Sequence, residues 1–186
     1  MKAPPSPGDR GLVLIRHGKS AWDDPTQPDH ARGLAPRGRR DGPRMGEVLG
    51  KLGWGPDQVR SSDAVRAWQT WEGLAAGLRR LPQHQHGLPE AVLDDQLFHA
   101  KAESTAAALD GWLPERGVLW VIGHNPGWED LIERLCGARE TLPTCAAALL
   151  VPAKLPGKWR LIDVLRPKEL QARGLAPAPE PGPAAG

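Results

Sequence analysis

Two stretches of the chain are apolar without interruption: Leu12-Val13-Leu14-Ile15 and Val118-Leu119-Trp120-Val121-Ile122. Runs of this length, bounded by glycine, read as strands buried on both faces of a parallel sheet. Elsewhere the apolar positions fall into helical steps. Met45, Val48, Leu49 and Leu52 mark a helix ending near residue 52, and Val65, Trp68, Trp71, Leu74, Leu78 and Leu81 mark the clearest helix of the chain. Further helices are expected over 103–113 and 128–136. Short strands are expected at 58–61 and 90–93, and a closing pair at 146–151 and 158–165 joined by a Pro/Gly turn. Pro43 requires the second element either to begin near Asp41 or to kink. Ser62 or Asp63 offers an N-cap for the helix after residue 64, and Asn125 offers one for the helix after Pro126. The strand-to-helix rhythm predicts an α/β protein with a mostly parallel central sheet.

Polar residues stand where these strands end. Arg16 and His17 close the first strand, His124 closes the strand at 118–122, and Arg66 lies in the first turn of a helix that follows a third strand. In a parallel sheet all three points reach the carboxyl edge, where open α/β folds bind ligands. Two arginines, two histidines and nearby helix N-termini point to an anion, most simply a phosphate. Taken singly, each has a blander account: Arg16 and His17 leaving the core for solvent, Arg66 a solvated helix arginine, His124 bonded to backbone at a helix entry.

Composition narrows the field. The 186 residues suit one domain, with a formal net charge of +2 and 25% charged residues. This balance gives no pull toward nucleic acid or membrane, and the eight tryptophans are scattered through apolar elements instead of forming a stacking platform. No apolar run approaches the roughly 20 residues of a membrane span. Residues 1–10 lack the apolar centre of a secretory signal and read as a flexible arm. Cys136 and Cys145 form no CxxC pair, which fits reduced thiols in a cytoplasm. His84 and His86 lie in a loop with no third ligand nearby. The folded domain is expected over 11–166, with an Ala/Pro/Gly-rich disordered tail over 167–186. A monomer is expected, because no long apolar stripe is left over.

Three segments carry a family resemblance. Arg16-His17-Gly18 resembles the signature of the histidine phosphatase superfamily. Ser62-Asp63-Ala64-Val65-Arg66-Ala67-Trp68-Gln69-Thr70 is similar to that family's S-x-x-x-R-A-x-Q-T segment, and Gly123-His124-Asn125-Pro126 to its late G-H-N segment. Arg32-Gly33-Leu34-Ala35-Pro36-Arg37-Gly38 resembles the R-P-L-x-x-x-G of the small SixA-type phosphohistidine phosphatases, with Gly33 where proline is usual. The resemblance implies a three-layer α/β/α fold of phosphoglycerate mutase type. It implies His17 as nucleophile, with Arg16, Arg66 and His124 as further catalytic residues that hold the phosphoryl group. Arg32 joins them as substrate-binding, and neither metal nor cofactor is required. Only about fifty residues separate Gln69-Thr70 from the strand before His124, too few for a capping insertion. The SixA-type resemblance implies phosphohistidine on a protein as the substrate, which an open pocket would admit, with a small phosphoester as the alternative enzyme reading. A phosphate-binding module without turnover is the alternative of another class. A leaving-group acid is not assigned: Asp94 and Asp95 lie in the region where many members carry one, and Asp23 stands where mutase-like members carry asparagine. As a loop residue, Asp23 is expected to pair with Arg32 or Lys19.

Overall fold

The computed structural model describes residues 10–155 and 157–176. Six strands form one sheet: β1 (Arg10–Arg16), β2 (Gln58–Ser62), β3 (Ala91–Asp94), β4 (Gly117–Gly123), β5 (Ala147–Pro152) and β6 (Trp159–Leu165). Their order across the sheet is β3-β2-β4-β1-β5-β6. The first four strands are mutually parallel, and β5 and β6 close one side antiparallel. Four helices cover the faces: α1 (Pro36–Lys51), α2 (Val65–Leu78), α3 (Ala102–Trp112) and α4 (Gly127–Cys136).

The unbroken apolar runs are explained by two cores. Val13 and Ile15 of β1 and Trp120 and Ile122 of β4 face a core shared with α1 and α2. Leu12, Leu14, Leu119 and Val121 point the other way, into a core shared with α4 and Leu109 of α3. Alternate residues of each central strand thus bury on opposite faces, and no polar face remains.

Helices α1 and α2 approach through glycines. A Cβ on Gly46 would lie 2.0 Å from the carbonyl oxygen of Leu74, and one on Gly77 would lie 1.9 Å from that of Pro43. Neither position admits a side chain without separating the helices.

The structure corrects several expectations. Helix α1 begins at Pro36, in the first helical position where a missing N–H costs nothing, so Pro43 lies in the helix interior. Pro43 has no N–H to give the carbonyl of Arg39, and α1 forgoes that bond. The capping residue of α2 is Ala64, not Ser62 or Asp63: Ser62 Oγ accepts from the Ala64 N–H, while Asp63 pairs with His30 at 2.9 Å. Pro126 precedes α4 as its cap, and the Asn125 side chain turns to Glu129 and Leu142. Arg10 belongs to β1 instead of a flexible arm. The expected disordered tail is corrected over 167–176, where Leu170 is fully buried and Arg173 bonds to Asp163 and the carbonyl of Val164. Residues 1–9 and 177–186 lie outside the described residues.

Candidate active site

Strand register brings the candidate residues together. Arg16 pairs with Gly123 across β1 and β4, so His17 and His124 leave the sheet side by side, with ring centroids 4.9 Å apart. Ser61 pairs with Ile122 across β2 and β4, which sets Ser62 level with Gly123 and its Oγ 3.0 Å from His124 Nε2. Helix α2 then starts three residues later and carries Arg66 over both histidines.

The hydrogen bonds decide the tautomers. His17 Nδ1–H donates to the carbonyl of Gly18 at 2.7 Å, leaving the lone pair on Nε2. Arg66 Nε, which can only donate, faces that Nε2 at 3.4 Å. Arg66 Nη2 donates to His124 Nδ1 at 3.3 Å, so His124 carries its proton on Nε2 and gives it to Ser62. Both rings are buried. Burial pushes the His17 pKa down to about 4, with Arg66 and Arg16 acting in the same direction and the Gly18 bond and Asp29 opposing. Burial lowers His124 to about 2, reinforced by His17, Arg66, His99 and Arg16. At neutral pH both imidazoles are uncharged beside permanently charged guanidinium.

The segment 62–70 also builds the loop. Thr70 Oγ1 accepts the Gly18 N–H at 2.9 Å and donates to the Arg66 carbonyl at 2.6 Å. Gln69 Oε1 accepts the Leu34 N–H at 2.8 Å. Thus one helix turn fixes the carbonyl that orients His17, the backbone of Arg66 and the loop entering α1. A Cβ at Gly18 would crowd Leu34 and Gly38 at 3.1–3.2 Å.

Arg16 donates from Nη1 to the carbonyl of Leu142 at 3.0 Å, and its buried Nε finds no protein partner. Burial lowers its pKa and Glu129 opposes. Glu129 Oε1 accepts from both Asn125 Nδ2 (2.7 Å) and the Leu142 N–H (2.8 Å), so it fixes the segment that holds Arg16.

Asp29, in a single 3₁₀ turn over Asp29–Ala31, is the partner that the sequence did not single out. Its Oδ2 accepts from Arg66 Nη2 at 2.9 Å and its carbonyl accepts from Nη1. Nothing in the local sequence separates it from the neighbouring loop aspartates Asp23 and Asp24. Arg32 is buried beside Asp29: its Nε lies 3.8 Å from Asp29 Oδ1, Nη1 bonds to the Asp24 carbonyl, and the guanidinium sits 4.3 Å from the Trp22 ring. The expected pairing of Asp23 with Arg32 is therefore corrected to Asp29. Asp23 is exposed, and Asp94 is engaged by Arg60 and the Gln96 N–H. His84 packs against Gly55 and Gly50. Among the described residues no group of three or more His, Cys, Asp or Glu could hold a metal ion.

The site thus presents one uncharged imidazole nitrogen with a free lone pair, ringed by donors fit for phosphoryl oxygens. Residues 12–150 match the model of the histidine phosphatase superfamily, branch 1. The chain belongs to the histidine phosphatase superfamily. It is a phosphatase with the three-layer phosphoglycerate mutase-like fold. An uncharacterized chloroplastic protein of Arabidopsis thaliana is 32% identical over 174 residues, covering 85% of this chain and 78% of that one. A crystal structure from Agrobacterium tumefaciens, assigned as the phosphohistidine phosphatase SixA, is 25% identical with a TM-score of 0.68, covering 87% of this chain and 99% of that one. The protein histidine phosphatase SixA complexed with tungstate shares the fold at 24% identity and a TM-score of 0.73, covering 86% and 99%. Among solved structures the chain is thus similar to SixA phosphatases.

Proposed function

We propose that this phosphatase removes phosphoryl groups from phosphohistidine on another protein, through a phosphohistidine intermediate on its own His17 and without a metal. The observation that carries the reading is the His17 ring, held by Gly18 through Nδ1–H with Nε2 unprotonated in front of Arg66. Such a nitrogen attacks phosphorus in line, and water then cleaves the P–N bond formed. Arg66 and Arg16 hold phosphoryl oxygens with permanently charged, planar donors, and His124 adds a further contact. Positioning and charge stabilisation supply most of what phosphoryl transfer needs. The depressed His17 pKa keeps the nucleophile unprotonated throughout the physiological range.

Two features support a protein-borne substrate. The chain between α2 and β4 folds into β3 and α3, with no inserted cap over His17. A cleft of about 300 Å³ opens from His124 toward His99, Lys101 and Arg134, with room for a side chain brought in from another molecule.

The test is phosphate release from a phosphohistidine-bearing protein in the presence of EDTA. Release by the wild type and none by His17→Ala is the expected result. Activity that disappears with EDTA, or persists in His17→Ala, would overturn the mechanism. Cleavage of aryl phosphates alone would return the substrate to small phosphoesters.

A further inference from the structure

His99 does not touch the residues that hold His17 in any contact described above, yet it lines the cleft that opens from His124. It occupies the turn between β3 and α3 with φ 56°, the left-handed region that side-chain-bearing residues seldom adopt. Its ring centroid lies 6.4 Å from that of His124 and 4.0 Å from that of Phe98. Phe98 wedges the turn in place, edge-on to His124 at 5.3 Å and to His30 at 4.9 Å. The turn is also pinned behind: the Ala100 carbonyl sits where a Cβ on Gly127 would be, 2.2 Å away. An unusual backbone conformation, packed on two sides, therefore holds an exposed imidazole at the end of the cleft that starts at His124.

The reaction needs what this ring can supply. When His17 Nε2 bonds to phosphorus, the leaving atom departs with the electron pair and requires a proton. Arginine does not release one, and the His124 Nε2 proton is already given to Ser62. Asp94 is bound to Arg60 and to backbone. Histidine is the side chain that gains and loses a proton most readily near neutrality.

We propose that His99 is the proton donor to the leaving group, a role that rests on the His17 phosphatase reading. In the first step the Nε2–P bond forms and the bond from phosphorus to the leaving nitrogen or oxygen breaks. Its electron pair stays on the leaving atom, which takes a proton from the His99 imidazolium. In the second step neutral His99 takes a proton from water as the water oxygen bonds to phosphorus. The P–N bond breaks, its pair returns to His17 Nε2, and phosphate departs with His99 protonated again.

The experiment compares kcat/KM of the wild type, His99→Gln and His99→Gly on a phosphohistidine peptide, phenyl phosphate and 4-nitrophenyl phosphate. The glycine variant suits the left-handed backbone and keeps the turn. Nitrophenolate leaves without a proton, whereas phenolate and imidazole need one. Both variants should lose roughly 10²-fold or more on the peptide and on phenyl phosphate, and less than about threefold on 4-nitrophenyl phosphate. An equal loss on all three substrates, or no loss on any, would overturn the proposal. Failure of the underlying reading looks different: His17→Ala would remain active, or the wild type would cleave only the aryl esters. In the latter case the contrast between the two esters still decides the role of His99.

Discussion

Arg66 faces two neighbourhoods that are built differently. On one side stand His17 and His124, delivered by β1 and β4, whose pairing runs without a shift from Arg10 opposite Gly117 to Arg16 opposite Gly123. Both rings are buried and each nitrogen has a defined role. On the other side stands Asp29, half exposed on a single 3₁₀ turn of the loop between β1 and α1. The sheet side fixes the reacting nitrogen to within a hydrogen bond. The loop side offers a carboxylate to the same guanidinium that must receive a phosphoryl group. Chemistry is thus assigned to buried side chains at the ends of paired strands, and the contact that a substrate must compete with is assigned to a half-exposed carboxylate on a loop.

The strongest way to break this comparison is to remove its shared centre. Arg66→Ala takes away a donor aimed at the charge developing in the transition state, a loss of about 3–4 kcal/mol or roughly 10²–10³ in kcat. Arg66→Lys should recover little, because a point charge cannot replace the fork that reaches Nε2 of His17 and Nδ1 of His124 together. Steady-state kinetics on any cleaved phosphate checks this, and a fully active lysine variant would contradict it.

A smaller effect probes the sheet side alone. Thr70→Val keeps the shape but removes the oxygen that accepts the Gly18 N–H and donates to the Arg66 carbonyl. A buried N–H left without a partner costs about 1–3 kcal/mol. The urea midpoint should fall accordingly, with kcat falling alongside because Gly18 also holds His17. Lost stability with unchanged kcat would separate the loop from the orientation of the nucleophile.

How much of this was legible in the sequence follows the same division. Arg16, His17 and His124 could be placed because uninterrupted apolar runs mark central strands, and the ends of parallel strands share an edge. Arg66 could be placed because its helix follows a strand at once. Asp29 could not: its role depends on how the loop folds back over α2, and no period records that. Glu129 was equally hidden, as an acidic residue in the first turn of α4 that looks like an ordinary companion of a helix N-terminus. The glycines that let α1 meet α2 are visible as letters, yet apolar periodicity is blind to side chains that are absent. That is also why the apolar spacing leaves the start of α1 open between Asp41 and a longer helix kinked at Pro43. Leu170 is a single apolar residue in an Ala/Pro/Gly-rich stretch, too sparse a signal to announce a buried anchor. The expected caps of α2 and α4 differ from the structure because Ser62 Oγ meets His124 and the Ala64 N–H, and Asn125 turns to Glu129 and Leu142, so neither bonds the first free N–H groups of its helix.

The mildest change sharpens the loop side. Asp29→Asn keeps the size of the side chain and removes its charge from Arg66. Because Asp29 is half exposed, solvent screening limits the gain for an incoming phosphate to about 1 kcal/mol, roughly fivefold in the Ki of inorganic phosphate. The same substitution has a signed effect on pH dependence. His17 must be neutral to attack, so activity is present above its pKa and is lost as pH falls through about 4. Asp29 raises that pKa against the larger effect of burial. Removing the carboxylate should therefore shift the acid limb of kcat/KM to lower pH while phosphate binds more tightly. If the Ki rises instead, Asp29 orients Arg66 for the phosphoryl group and does not compete with it, and the loop side must then be counted with the fixed machinery of the sheet.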